Sequence, residues 1–113
     1  GRGAVKPALM DQGKVAGIGN LWSDEILFQT DTAPDARAAD LPADRVAAIH
    51  TAMRRLFGRA LDVNADYAAL PGDWLIHNRT EGADCPRCGG TITKKTVGGR
   101  TAYYCPGHQK AAA

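Results

Sequence analysis

Four residues near the end of the chain constrain it most: Cys85-Pro-Arg-Cys88 and, after sixteen intervening residues, Cys105-Pro-Gly-His108. A Cys-x-x-Cys turn holds two sulfurs about one metal ion, and tetrahedral zinc takes four such donors. Between the knuckles, Thr91-Ile92-Thr93 and Thr101-Ala102-Tyr103-Tyr104 favour strands, with Gly98-Gly99 near the middle. The pattern predicts a two-stranded hairpin closed at its base by one structural Zn2+. A lone hairpin is marginal in water, and metal binding supplies the missing folding free energy, on the order of 10 kcal/mol in small zinc modules. All four ligands are protein groups, so no position stays open for an activated water. Iron–sulfur ligation and three unrelated buried thiols are the competing readings. An odd count of three cysteines, all in the last 29 residues, argues against a disulfide framework.

The hairpin is also basic. Residues 77–113 carry six Lys/Arg against two Asp/Glu, whereas residues 1–76 carry eight against ten. A small cationic tail suits a polyanionic partner. Lys94, Lys95 and Arg100 are expected at the hairpin tip, where a guanidinium can fork onto a phosphate; exposed cations on a solubilising loop are the ordinary alternative. At 113 residues the chain is one small domain, or a helical core with an appendage. No apolar run is long enough for a bilayer and no signal-peptide pattern is present, giving the expectation of a cytoplasmic protein with no membrane partner. The opening Gly1-Arg2-Gly3 leads us to expect a piece of something longer.

The rest of the chain reads as helical. Residues 4–12 form a short helix with Val5 and Leu9 on one face and Pro7 in the first turn. Gly13 breaks it, and Gly17 and Gly19 permit two successive tight turns. A second helix is expected from Leu21 to Gln29, with Ser23, Asp24 and Glu25 suiting its positively polarised first turn. After a polar loop, Pro42 to Ala60 shows a stripe of Val46, Ile49, Met53, Leu56, Phe57 and Ala60, with His50 at the core edge as a neutral, hydrogen-bonded side chain. Residues 62–84 read as a connector with a Pro71-Gly72 turn. The expected fold is mainly α, a helix–two-turn–helix domain (1–76) followed by a β-hairpin zinc finger (77–113).

Lys6-Pro7-x-Leu9-Met10-Asp11-Gln12 and Val15-Ala16-Gly17-Ile18-Gly19-Asn20-Leu21-Trp22-Ser23-Asp24-Glu25 closely resemble the helix–two-turn–helix motif of the formamidopyrimidine-DNA glycosylase and endonuclease VIII (Fpg/Nei) family. Cys85 to Gln109, with Gly98-Gly99-Arg100-Thr101-x-x-Tyr104-Cys105, resembles that family's C-terminal finger. The resemblance covers nearly the whole chain. It implies the DNA-binding portion of a bifunctional glycosylase/AP lyase of base excision repair, acting as a monomer on double-stranded DNA with an oxidised base or abasic site. By the same resemblance the main-chain amides around Gly17 and Gly19 approach a phosphate, and Asn20 donates to one. Lys6 faces the lesion-bearing nucleotide, and Arg100 contacts the phosphates around the flipped base and is a possible proton donor in δ-elimination. Asn20 as a mere helix cap and Lys6 as a solvated first-turn residue are the structural alternatives.

Family chemistry flips the base out and attacks the sugar with an N-terminal proline amine, forming a Schiff base. That proline, its glutamate neighbour and their β-sandwich do not occur in these residues, which implies DNA binding without base excision. One departure is clear: the family finger ends Cys-x-x-Cys, whereas this one ends in His108. Zinc is expected to be retained with one fewer negative charge. Two other classes compete: a stand-alone, non-enzymatic nucleic-acid-binding zinc module, and a protein-interaction ribbon with Tyr103, Tyr104 and Trp74 as an apolar patch.

Overall fold

The computed structural model describes residues 4–6, 20–62 and 71–110. Gly17 and Gly19, like most of the expected first helix, lie outside the described residues, as does the side chain of Asn20. The elements are α1 (Asn20–Gln29), a 3-10 turn (Ala38–Asp40), α2 (Ala43–Asp62), a second 3-10 turn (Leu75–His77), and strands β1 (Thr93–Val97) and β2 (Arg100–Tyr104). The mainly helical fold with a small β-hairpin is the one expected, although the first strand begins two residues later than Thr91. Among the described residues no helix is long and apolar enough to cross a membrane.

Helix α1 is the centre of the molecule. Trp22 through Phe28 are all buried, so it has no solvent stripe and its polar residues need internal partners. Trp22, Ile26 and Leu27 pack with Val5, Ile49, Leu56 and Trp74 in one apolar cluster. Phe28 lies in a second cluster with Leu75, Cys85, Ile92 and Cys105. One helix thus contributes to the core under α2 and to the core under the hairpin.

Helix α2 departs from the expected stripe at one edge. Ile49 and Leu56 are buried and Met53 packs against them, but Val46 remains 39% exposed and Ala52 takes the adjoining core place. His50 is exposed rather than set at the core edge with a hydrogen bond. Ala52 joins Ile49 and Leu56 in the apolar cluster that α1 also enters, while the side chains of Phe57 and Ala60 lie outside the described residues. Trp74 is also buried, which removes it from the apolar patch considered above.

The hairpin is antiparallel, with Val97 opposite Arg100 and Thr93 opposite Tyr104. Its two-residue turn has φ of 58° at Gly98 and 80° at Gly99. Two consecutive left-handed residues make the turn whose twist matches that of paired strands, and glycine adopts it without steric cost. The register corrects the expected tip. Lys94 and Lys95 face Tyr103 and Ala102 in mid-strand, and alternation sends them to opposite faces. Only Arg100 borders the turn.

The candidate zinc centre and its cationic neighbours

The ligand set predicted from spacing converges. Sulfur or ring nitrogen atoms of Cys85, Cys88, Cys105 and His108 all lie within 4.8 Å of one another. Local structure explains why. The Gly89 amide donates to Cys85 O at 3.0 Å, and the Cys85 amide donates to Gly90 O at 2.7 Å, closing the first knuckle. In the second, the His108 and Gln109 amides fold back onto Cys105 O at 3.3 and 2.9 Å. Cys88 and Cys105 sulfurs stand 3.4 Å apart, close to the edge of a tetrahedron with metal–sulfur bonds of about 2.3 Å.

Two further observations test whether zinc fits. Among the described residues, His108 Nε2 is the buried side-chain nitrogen that lacks a hydrogen-bond partner, as a metal-directed atom must. Gly90 and Gly107 form the walls: a Cβ on either would sit 3.1 Å from a cysteine sulfur. Charge fits as well. Burial, with Cys88 next to it, pushes the Cys105 thiol up to about 11, so the charge of a cation is what makes it a thiolate ligand. Cys88 is displaced the other way, chiefly by the Gly90 amide hydrogen bond. The residues hold one structural zinc through four protein donors.

The site reaches beyond its ligands in a way that spacing alone did not reveal. His108 Nδ1 lies 2.9 Å from Asp31 Oδ1, so Nδ1 carries the proton and Nε2 is left for the metal, the arrangement by which a carboxylate orients a ligating imidazole. Asp31 stands just beyond α1 with φ of 57° and also pairs with Arg87 at 3.3 Å. Arg87 Nη1 donates to the α1 carbonyls of Phe28 and Gln29, both at 3.2 Å. The Phe28 ring meets the His108 ring edge-on at 4.8 Å. Buried Gln109 accepts from the Cys105 amide and donates to Thr32 O. The fourth ligand therefore binds the finger to the helical part.

The cationic residues fall in two settings. Arg100 is exposed. Lys6 is wholly buried, which overturns the solvated alternative: its Nζ donates to Ser23 Oγ at 3.0 Å and to Asp24 Oδ1. Burial pushes the Lys6 ammonium below its ordinary value, Asp24 opposes that, and the charges of Arg79 and Arg100 add to it. Asp24 and Glu25 do not serve the helix dipole as expected; both are buried acceptors for other elements. Glu25 takes the Leu75 and Ile76 amides at 3.1 and 2.7 Å, and burial raises its pKa. Lys94 is exposed, while Lys95 pairs with Asp35 at 2.6 Å and lies over the Tyr104 ring.

With this geometry in hand, likeness to known proteins becomes decisive. The model of the formamidopyrimidine-DNA glycosylase H2TH domain matches residues 1–70. The chain belongs to the formamidopyrimidine-DNA glycosylase H2TH family. A second match, the zinc finger found in FPG and IleRS, covers residues 84–106. Among curated relatives, a formamidopyrimidine-DNA glycosylase of Roseiflexus sp. (strain RS-1) is 40% identical over 117 residues, covering 95% of this chain and 43% of that protein. One from Arabidopsis thaliana is 37% identical over 107 residues, covering 94% of this chain and 27% of its own length. The chain thus spans less than half of these relatives. The Lactococcus lactis Fpg crystallised with abasic-site DNA superposes with a TM-score of 0.80 at 28% identity over 96% of this chain and 43% of that one. The same enzyme with DNA containing an oxidised pyrimidine gives 0.84 at 27% identity, over 96% and 42%.

Proposed function

We propose that this chain is the DNA-gripping portion of a bifunctional DNA glycosylase/AP lyase that removes oxidised bases from double-stranded DNA and then cleaves the strand by β,δ-elimination. Residues 1–76 act as the helical unit and 77–113 as the finger, working on DNA as a monomer. The observation that carries the reading is Arg100: exposed beside a two-glycine turn, on a strand whose Tyr103 amide donates to Asp24 of α1 at 3.2 Å. The bond from Tyr103 to Asp24 supports a reading in which the hairpin cation and the start of α1 grip one strand of backbone together. Solved structures of similar chains hold abasic or oxidised DNA, which supports the same partner here.

Arg100 contacts the phosphates around the flipped nucleotide and supplies a proton in the δ-step. Lys94, with its ammonium exposed, adds charge to the approach, and the amides near Gly17 and Gly19 with Asn20 take the opposite phosphates. Lys6, enclosed as it is, acts through its field. Residues 1–113 alone bind and do not excise, since the amine nucleophile and substrate pocket of the family are not among them.

Fluorescence anisotropy with a duplex bearing a tetrahydrofuran abasic analogue tests the grip. Arg100→Ala is expected to weaken binding about tenfold, roughly the 1.4 kcal/mol of one charge-assisted phosphate contact, with zinc content and melting temperature preserved. Wild-type binding should fall steeply with salt. Unchanged affinity in Arg100→Ala, or borohydride trapping of the 113-residue chain on abasic DNA, would overturn the assignment.

A further inference from the structure

We infer that Asp24 is a positioning residue, which fixes the hairpin carrying Arg100 to α1 so that the guanidinium is presented at a set distance from the helix start. The inference rests on the function proposed above. Asp24 is 1% exposed, and its carboxylate gathers donors from three separate parts of the chain. Lys6 Nζ takes Oδ1. Arg79 Nε and Nη2 reach Oδ2 at 3.0 and 2.8 Å, and the Tyr103 amide reaches the same oxygen at 3.2 Å. Arg79 also lies over the Tyr103 ring, 4.6 Å from its centroid.

Each contact does separate work. The Tyr103 amide is a main-chain group, so its bond to Asp24 locates the backbone of β2 rather than a mobile side chain. Arg100 is three residues away in the same strand, and the hairpin's tight turn leaves little slack between them. Arg79, donating twice to the same Oδ2 and stacked on the Tyr103 ring, ties that strand to the same carboxylate. Lys6 supplies a buried cation that pairs with Asp24 and holds it in place, because a buried carboxylate without a partner is costly. The carboxylate faces two cations, Lys6 and Arg79.

The experiment is a thermodynamic cycle in the 113-residue chain, read by anisotropy on the tetrahydrofuran duplex, with zinc stoichiometry and melting temperature recorded for every variant. Asp24→Asn keeps the shape and removes the charge. It is expected to weaken binding about tenfold in the wild-type background and less than threefold when Arg100→Ala is already present, because a misplaced guanidinium matters only while it exists. A general structural role would instead give the same factor in both backgrounds, and that result overturns the inference. Should Asp24→Asn lose zinc or helix, Arg79→Lys carries the same cycle, since lysine keeps the charge but cannot fork onto Oδ2. Failure of the wild type to bind the duplex, or of Arg100→Ala to weaken it, sinks the proposed function itself. Binding with additive losses sinks only the role of Asp24.

Discussion

Replacing Asp31 with glycine isolates what the carboxylate beside His108 contributes to metal binding. Residue 31 has φ of 57°, a region that aspartate tolerates better than alanine; glycine removes the acceptor without the added strain of alanine. The Asp31 carbonyl still receives the Lys110 amide at 3.2 Å, so the local chain path is kept. The loss is the hydrogen bond at 2.9 Å that orients the imidazole. Second contacts of this kind change metal affinity by roughly 10- to 100-fold, or about 1.4–2.8 kcal/mol. The ion pair to Arg87, with both side chains 44% exposed, adds at most about 1 kcal/mol, and Arg87→Ala measures that share directly. Competition of zinc-loaded protein against a chromophoric chelator reads the affinity. A glycine variant within twofold of wild type, or a deficit fully reproduced by Arg87→Ala, would show that Asp31 does not orient the ligand.

Cys88→Ser should abolish stoichiometric zinc and the dispersion of hairpin amide resonances, while helical circular dichroism persists, since the cluster around Ile26 and Leu27 contains no finger residue; retained zinc refutes the ligand set. Gly107→Ala drives a Cβ to within 3.1 Å of Cys88 Sγ, and overpacking of about 1–3 kcal/mol should appear as weaker zinc binding in the same chelator assay. Glu25 titrates above its usual 4.5 because of burial. Its contribution to stability is therefore full below 4.5 and declines as pH rises through the higher folded value. Melting temperatures of wild type minus Glu25→Gln should narrow across that rise, and a difference that widens would contradict the assignment.

Much of this molecule is legible in the sequence. Spacing alone identified Cys85, Cys88, Cys105 and His108, because metal geometry is local and each knuckle is a single turn. The two-glycine hairpin and the long helix were legible for the same reason. What escaped was long-range. Asp24 and Glu25 looked like first-turn acids, yet they serve residues 55 and 50 or more positions away. Arg79 and Asp31 carry no periodic or motif signal, and nothing in the finger segment marks Arg87 or Gln109 for a role, since their importance comes from which chain segment arrives beside them. Val46 and His50 are exposed: helical periodicity marks a stripe but not the width that its partners cover.

Helix α1 feeds two apolar clusters, and this bears on how such a chain changes over generations. Exchanging the finger alone for another would leave Phe28 and Leu75 against a foreign surface and strip Asp31 of its imidazole. Recombination joints between the halves are accordingly disfavoured, and the pair should be inherited and transplanted as one block.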